Sequence, residues 1–345
     1  MSLSILQKSL FLFTLIALPF YLLVLLVLIK YRSTILSGPF FTVCISAGVA
    51  DIWYGSQKLL LAYIPKLFFK DQLVGEEYLA TLAKMGHWGI YYAQVFGVVL
   101  LTINRFCALM YPTKNQTLWK PRNLAIAISL QWFLSFLIIS PMFYPDYRSQ
   151  YDHNIEAKMK NQQIQTIYWY FATVLECFIV LPTLLILYAT MTYKVTKQRK
   201  KVSVATTRAT RRQQRTEVKL AINGLVISGF YIILCILILL ESVLKVSPAP
   251  WMDFLYYTAS DGFTYCNPFL LCAFSSPVRH CVFSLLTCRK PTDPSGLMYA
   301  RASFQSQPGR ALAAMDQHNQ RRTSALNNQN VPSHPLPHQV ACSKL

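Results

Sequence analysis

Seven apolar stretches, at 10–29, 39–63, 86–110, 123–144, 166–193, 219–242 and 251–275, alternate with polar connections along the chain. At about 1.5 Å of rise per residue, about 20 apolar residues cross a hydrocarbon layer roughly 30 Å thick, so each stretch is long enough for one transmembrane helix. Lipid offers backbone groups no hydrogen-bond partner, which makes helices the expected form. The pattern predicts an all-α membrane protein, a seven-transmembrane-helix bundle over 10–275. A short extracellular N-terminus, 1–9, precedes it. Residues 276–290, SPVRHCVFSLLTCRK, read as an amphipathic helix on the inner leaflet, with Val278, Val282, Phe283, Leu285 and Leu286 toward acyl chains. Beyond, 291–345 is rich in Ser, Gln, Asn and Pro and reads as a disordered cytoplasmic tail. No small-residue cleavage site follows the first stretch, so it reads as a retained span and not a signal peptide.

Charge gives the orientation. The connection 194–219 holds ten Lys/Arg against the single acid Glu217, whereas 66–84 and 145–165 each balance three basic against three acidic residues. Lys30, Arg32, Lys114, Lys120 and Arg122 add to the excess in the odd-numbered connections. The positive-inside bias puts these in the cytoplasm, with the N-terminus outside and the C-terminus inside. Trp88, Trp169 and Trp251 then fall near the outer interface. The formal net charge of +19 is thus a topology signal first, with contacts to acidic lipid or an effector second, and nucleic acid is not an expected partner. Of nine cysteines none lies in an expected outer segment, so no disulfide framework is implied, and no His/Cys spacing suggests a metal. Cys281 and Cys288, on one face of the inner-leaflet helix, read either as palmitoylation sites or as buried thiols.

The stretch GHWGIYYAQVFGVVLLTINRFCALMYP, 86–112, organises the rest. His87, Trp88, Tyr91, Tyr92 and Gln94 crowd one end, and Asn104-Arg105-Phe106 closes the other. Such a helix links an outer ligand pocket to an inner effector site. Asp51, Glu176 and Asp261 interrupt other spans near mid-depth, where an acid must face the bundle interior. Lys58 lies two helical turns outward from Asp51 on one face, as a ligand counter-charge or as a structural partner. Candidate ligand-binding residues are Tyr91, Tyr92, Gln94, Lys58, Glu176, Tyr257 and Asp261, because aromatic walls with a few polar groups suit small organic molecules. Asp51 reads as interior hydrogen bonding or an ion site. No cofactor is expected, and no nucleophile elbow, zinc-protease helix or phosphate-cradling loop suggests an enzyme.

Several of these marks resemble a G-protein-coupled receptor: Asn104-Arg105-Phe106, Asp51 after Ser46-Ala47-Gly48-Val49-Ala50, Trp132 with Pro141, Pro182, and Asn267-Pro268. The run Ile103 to Pro112, with Leu118-Trp119, Asn267-Pro268-Phe269 and Phe274-Ser275-Ser276-Pro277, looks most like nematode serpentine chemoreceptors of the Srg superfamily, nearest serpentine receptor class V. The resemblance implies a rhodopsin-like bundle in a sensory plasma membrane. It also implies a small-molecule ligand and a heterotrimeric G protein coupling at Asn104, Arg105 and Phe106. Asp51, Asn267 and Pro268 become an interior switch. The chain departs from the rhodopsin pattern at Asn104, where an aspartate is usual. Leu271 replaces the helix 7 tyrosine, helix 6 lacks tryptophan and proline, and helix 1 lacks its asparagine. A seven-span transporter or a ligand-gated channel is the alternative; the first predicts similar halves and the second a filter motif, and neither is visible.

Overall fold

A computed structural model describes residues 5–152, 157–202, 208–242 and 250–287. The tail 291–345 and Cys288, Arg289 and Lys290 lie outside these. The architecture is a bundle of long helices: α1 (Ile5–Lys30), α2 (Pro39–Lys58), α3 (Tyr78–Met110), α4 (Pro121–Ile139), α5 (Gln162–Thr173, continued by a π-helical stretch Val174–Val180 and by Leu181–Val202), α6 (Arg208–Ser242), α7 (Pro250–Phe274) and α8 (Ser276–Leu286). Most starts carry a local stop or cap. Pro39 and Pro121 take the first turn of α2 and α4, where a missing N–H costs nothing, and the Asn161 side chain accepts from Gln163 and Ile164 N–H at the start of α5.

Among the described residues five helices are long and apolar enough to cross a membrane, and α7 with α8, bent by 95° at Ser275, makes a sixth. The bundle is therefore multi-pass. Its circumference is oily: Ile16, Leu26, Ile126, Phe133 and Phe136 are all at least half exposed. A soluble protein does not leave such a belt bare, whereas lipid covers it. α2 does not pass on apolarity because Ser46, Asp51, Gly55 and Gln57 dilute it, and much of that polar face is turned inward.

α3 is the axis, packing against α2, α4 and α5. On one side a core of Val27, Leu28, Phe41, Cys44, Leu101 and Leu271 joins α1, α2, α3 and α7. On the other, Val95, Leu184, Tyr231, Leu234 and Phe263 join α3, α5, α6 and α7.

The helices run past their apolar stretches: α3 starts at Tyr78 rather than 86, and α6 at Arg208 rather than 219. Ala, Arg, Gln, Glu and Lys in those extensions are good helix formers once solvated. The 145–165 connection also forms a hairpin that its short segments did not announce. Strands β1 (Ser149–Tyr151) and β2 (Ala157–Met159) pair antiparallel with Tyr151 opposite Ala157.

The amphipathic segment is helical but seated differently from its expected pose. Val278 and Val282 are buried against α1 and α2, while Phe283 and Leu286 are 60% exposed. Cys281 lies at 1% exposure in the same buried seam, the buried-thiol alternative for that residue. Arg279 holds the corner by donating to the Cys272 and Ala273 carbonyls at 3.3 and 3.0 Å, the orphan acceptors at the end of α7.

Candidate functional site

A cavity of about 620 Å³ opens at the hairpin end of the bundle, lined from α2, α3, α5, α6, α7 and both strands. Of the candidate ligand residues, Lys58, Tyr91, Glu176 and Tyr257 line it. Asp261 stands directly behind, with its carboxylate 2.5 Å from the Lys58 ammonium. Lys58 is 11% and Asp261 2% exposed, and the ammonium also lies 5.4 Å from the Tyr257 ring centroid and 5.7 Å from that of Tyr63. The lysine is thus a structural partner as well as a lining group, and the acid it meets is on α7, not Asp51 on its own helix.

Two of the charged lining groups, Lys58 and Glu176, sit at irregular backbone. Lys58 immediately precedes a π-helical turn, Leu59–Tyr63, and Glu176 lies inside Val174–Val180. Each π stretch ends within one turn of a proline, Pro65 or Pro182, whose ring and missing N–H disturb the carbonyls one turn earlier. Pro65 deprives the Leu61 carbonyl of its α-helical donor, and the Tyr151 hydroxyl of β1 supplies one at 2.9 Å. That bond ties the hairpin over the cavity. Thr81 Oγ1 donates to the Ser149 carbonyl at 3.2 Å, and Lys160 pairs with Glu77. The hydrogen of Lys160 and its charge hold the Glu77 carboxyl below the usual glutamate range. All cysteines among the described residues whose side chains are given are free, so the hairpin is fastened by polar contacts.

Glu176 is 1% exposed and accepts from the Tyr91 hydroxyl at 2.9 Å. An aromatic wall surrounds this pair. His87 lies parallel to Tyr91 at 6.5 Å, and Trp88 meets Trp169 edge-on at 5.6 Å. Trp88 is only 6% exposed and faces the bundle interior, so it is no interfacial anchor, while Trp251 at 60% is exposed as expected. Tyr92 and Gln94 do not line the cavity. Tyr92 is fully buried beside Trp88 and Phe96, and Gln94 points toward the centre of the bundle.

There Gln94 donates to Asp51 Oδ1 at 2.8 Å and reaches Thr264 Oγ1 at 3.3 Å. Asp51 also accepts from the Tyr21 hydroxyl, to which Asn267 donates at 3.4 Å. The interior candidates Asp51 and Asn267 are brought together, with Pro268 buried next in the chain. Their link, Tyr21, was missed by sequence reasoning. It stands on α1 two residues after Pro19. Between α2, α3 and α4, Gln131 donates to the Ala93 carbonyl at 2.9 Å, and Ser46 receives the Trp132 indole N–H at 3.1 Å.

At the opposite end of α3, Asn104 is 3% exposed and its amide nitrogen has no hydrogen-bond acceptor among the described residues. Arg105 stacks on Phe40, and Phe106 packs edge-on against Tyr111 at 6.3 Å. Arg105, Phe40, Tyr188, Asn223 and Asn267 enclose a hollow of about 30 Å³. Thr102 and Tyr188 hydroxyls meet at 3.0 Å, and Lys194 donates to the Leu109 and Met110 carbonyls at 2.8 and 3.1 Å. Among the described residues no cluster of three or more His, Cys, Asp or Glu is placed to hold a metal.

Residues 10–288 match the family described as "Serpentine type 7TM GPCR chemoreceptor Srv". Serpentine receptor class V-1 of Caenorhabditis elegans is 23% identical over 253 residues, covering 70% of this chain and 77% of that receptor. Galanin receptor 2a of Danio rerio is 36% identical over 76 residues, 21% of this chain and 20% of that receptor. The chain belongs to the serpentine-type chemoreceptor family Srv of G-protein-coupled receptors, a receptor family and not an enzyme family.

Proposed function

We propose that the chain spans the plasma membrane seven times as α1 to α7, N-terminus outside and C-terminus inside, and senses a small molecule in the hairpin-end cavity. The charge asymmetry of the connections supports that orientation, since Lys194, which opens the basic 194–219 connection, reaches the Arg105 end of α3. The ligand touches Tyr91, Lys58, Glu176 and Tyr257, and acts on Asp261 through Lys58. Tyr92 and Gln94 respond behind them, Gln94 by passing strain to the interior switch of Asp51, Asn267 and Pro268. A heterotrimeric G protein docks where Asn104, Arg105 and Phe106 open on activation. Acylation of Cys288 anchors the segment after α8 to inner-leaflet lipid.

One observation carries this reading. A single helix, α3, bears Tyr91 in the cavity wall and Arg105 at the far end, fourteen residues or roughly 21 Å apart. A ligand shifts the receptor only by its differential affinity for two states of that helix and its neighbours.

The test is agonist-dependent nucleotide exchange on a G protein in membranes holding the full chain. The expected result is exchange that saturates with ligand, with no accumulation of ligand in sealed vesicles. Uptake without exchange would overturn the receptor reading in favour of transport.

A further inference from the structure

The geometry points to a small organic ammonium ion as the ligand class of the hairpin-end cavity, with Glu176 as its counter-charge and the rings around it as its cage. This inference rests on the cavity being the ligand site, and it adds which chemistry that site selects.

The argument is one of charge accounting inside a low-dielectric wall. Two of the lining cations are already neutralised: Lys58 by Asp261 at 2.5 Å and Lys158 by Asp152 at 2.7 Å. Lys84 also lines the cavity, but seven residues, two helical turns, toward the hairpin from Tyr91. Glu176 is different. It is 1% exposed, and its polar neighbours are neutral phenols, Tyr91 Oη at 2.9 Å and Tyr92 beside it, with no ion-pairing cation among the described residues. A buried carboxylate without a cation is costly, and a cation delivered by the ligand removes that cost.

The surroundings suit such a cation. Tyr91, Trp88, Trp169 and Tyr256 present rings to the same cavity, and ring faces attract ammonium groups, quaternary ones included. The backbone is shaped for it too. The π-helical stretch Val174–Val180 rotates α5 locally so that Glu176 faces inward, while Phe178 and Ile179 on the same stretch are 66% and 56% exposed. Leu237 and Ile238 of α6 offer an apolar wall for the rest of the molecule. The cavity is thus polarised: Lys58 and Lys158 enter it already ion-paired, whereas Glu176 enters it without an ion-pairing cation among the described residues.

The experiment uses the full chain in lipid nanodiscs. Its probes are arylalkylammonium and tetraalkylammonium ions, set against carboxylates of the same carbon skeletons, and binding is read by thermal stabilisation. Ammonium ions should stabilise wild type in a saturable manner, and their carboxylate counterparts should not. Glu176→Gln keeps an acceptor for Tyr91 but removes the charge, and should weaken ammonium binding by about tenfold or more. Glu176→Asp keeps the charge and should recover part of the ammonium binding that Glu176→Gln loses, and an unliganded melting temperature of Glu176→Gln near that of wild type separates loss of the counter-ion from a damaged fold.

Nucleotide exchange is measured on the same preparations. Ammonium binding without exchange would sink the receptor reading and leave the cation assignment standing. Stabilisation or exchange by the carboxylates alone, no stabilisation by any ammonium ion, or unchanged ammonium affinity in Glu176→Gln would each overturn the assignment.

Discussion

The Arg105 guanidinium lies 3.3 Å from the ring centroid of Phe40, at the first turn of α2. Where a receptor of the rhodopsin pattern pairs this arginine with the acid before it, the residue here is Asn104, which carries no charge. A guanidinium over a ring face is held by the ring quadrupole and by stacking. Phe40 is 6% exposed, so the contact is largely shielded from water. It holds α3 to α2 at the end where the effector would enter. Removing the ring should therefore favour the open state. A cation–π contact contributes about 0.5–2 kcal/mol, so Phe40→Leu should raise basal nucleotide exchange by about 2- to 30-fold at equal surface expression. Phe40→Tyr should not. Unchanged basal exchange in Phe40→Leu would show that the restraint lies elsewhere.

Arg105 itself has the opposite phenotype. Arg105→Ala should abolish ligand-stimulated exchange while surface expression and ligand binding persist, because the cavity is roughly 21 Å away along α3. Normal exchange by that variant would remove the effector end from Arg105.

Asn104-Arg105-Phe106 on α3 and Asn267-Pro268 on α7 stand out in the sequence because they are short local patterns. The cavity was legible in part. Counting residues along a span gives depth, and of the residues singled out Lys58, Tyr91, Glu176 and Tyr257 line the cavity, with Asp261 behind Lys58. Depth does not give the direction a side chain faces, which depends on how neighbouring helices are rotated and in what register they meet. Trp88 was therefore placed at an interface and proves buried, and Tyr92 and Gln94 were placed in the pocket and stand behind it. The Lys58–Asp261 pair crosses 203 residues of chain, beyond any single-helix argument. The hairpin was invisible for another reason. Three-residue strands such as Ser149–Tyr151 carry too few positions to show alternation.

Lys194 caps α3 from a different helix. Its ammonium donates to two carbonyls in the last turn, where a helix leaves acceptors unmet and its dipole favours a cation. Lys194→Met keeps the apolar stem and removes both donors. We expect a loss of about 0.5–1 kcal/mol, read as a melting temperature lower by a few degrees, with Lys194→Arg close to wild type. Equal melting of Lys194→Met and wild type would mean water replaces the lysine without cost.

Hairpin closure should depend on acid through Glu77. Its carboxyl titrates below the ordinary value of 4.5, chiefly because Lys160 donates to the charged form. A lowered folded-state value means the contribution is complete above about 4.5 and disappears as pH falls through the lowered value. The pair is solvent-exposed, so the effect is small. The check is the difference in melting temperature between wild type and Glu77→Gln. It should be constant from neutral pH to about 5 and close at lower pH. A gap that widens under acid would contradict the pairing.

Gly224 permits a close approach of the Tyr188 ring of α5 to α6 near Arg105. A Cβ there would collide with the Tyr188 hydroxyl and come within 3.0 Å of Cζ, so the ring must swing away. Swinging it breaks the 3.0 Å contact with Thr102, which ties α5 to α3. It also disturbs the hollow that Arg105 shares with Tyr188 and Asn223. Overpacking of this kind costs about 1–3 kcal/mol, and Gly224→Ala should lower the melting temperature accordingly. The clash is chiefly with one oxygen atom. Tyr188→Phe removes that atom, so the double variant Gly224→Ala/Tyr188→Phe should be more stable than the sum of the single changes predicts. The non-additivity is the decisive reading, since separate, unrelated losses would simply add. Strict additivity would mean that the helices part as rigid bodies and the tyrosine hydroxyl is not what Gly224 makes room for.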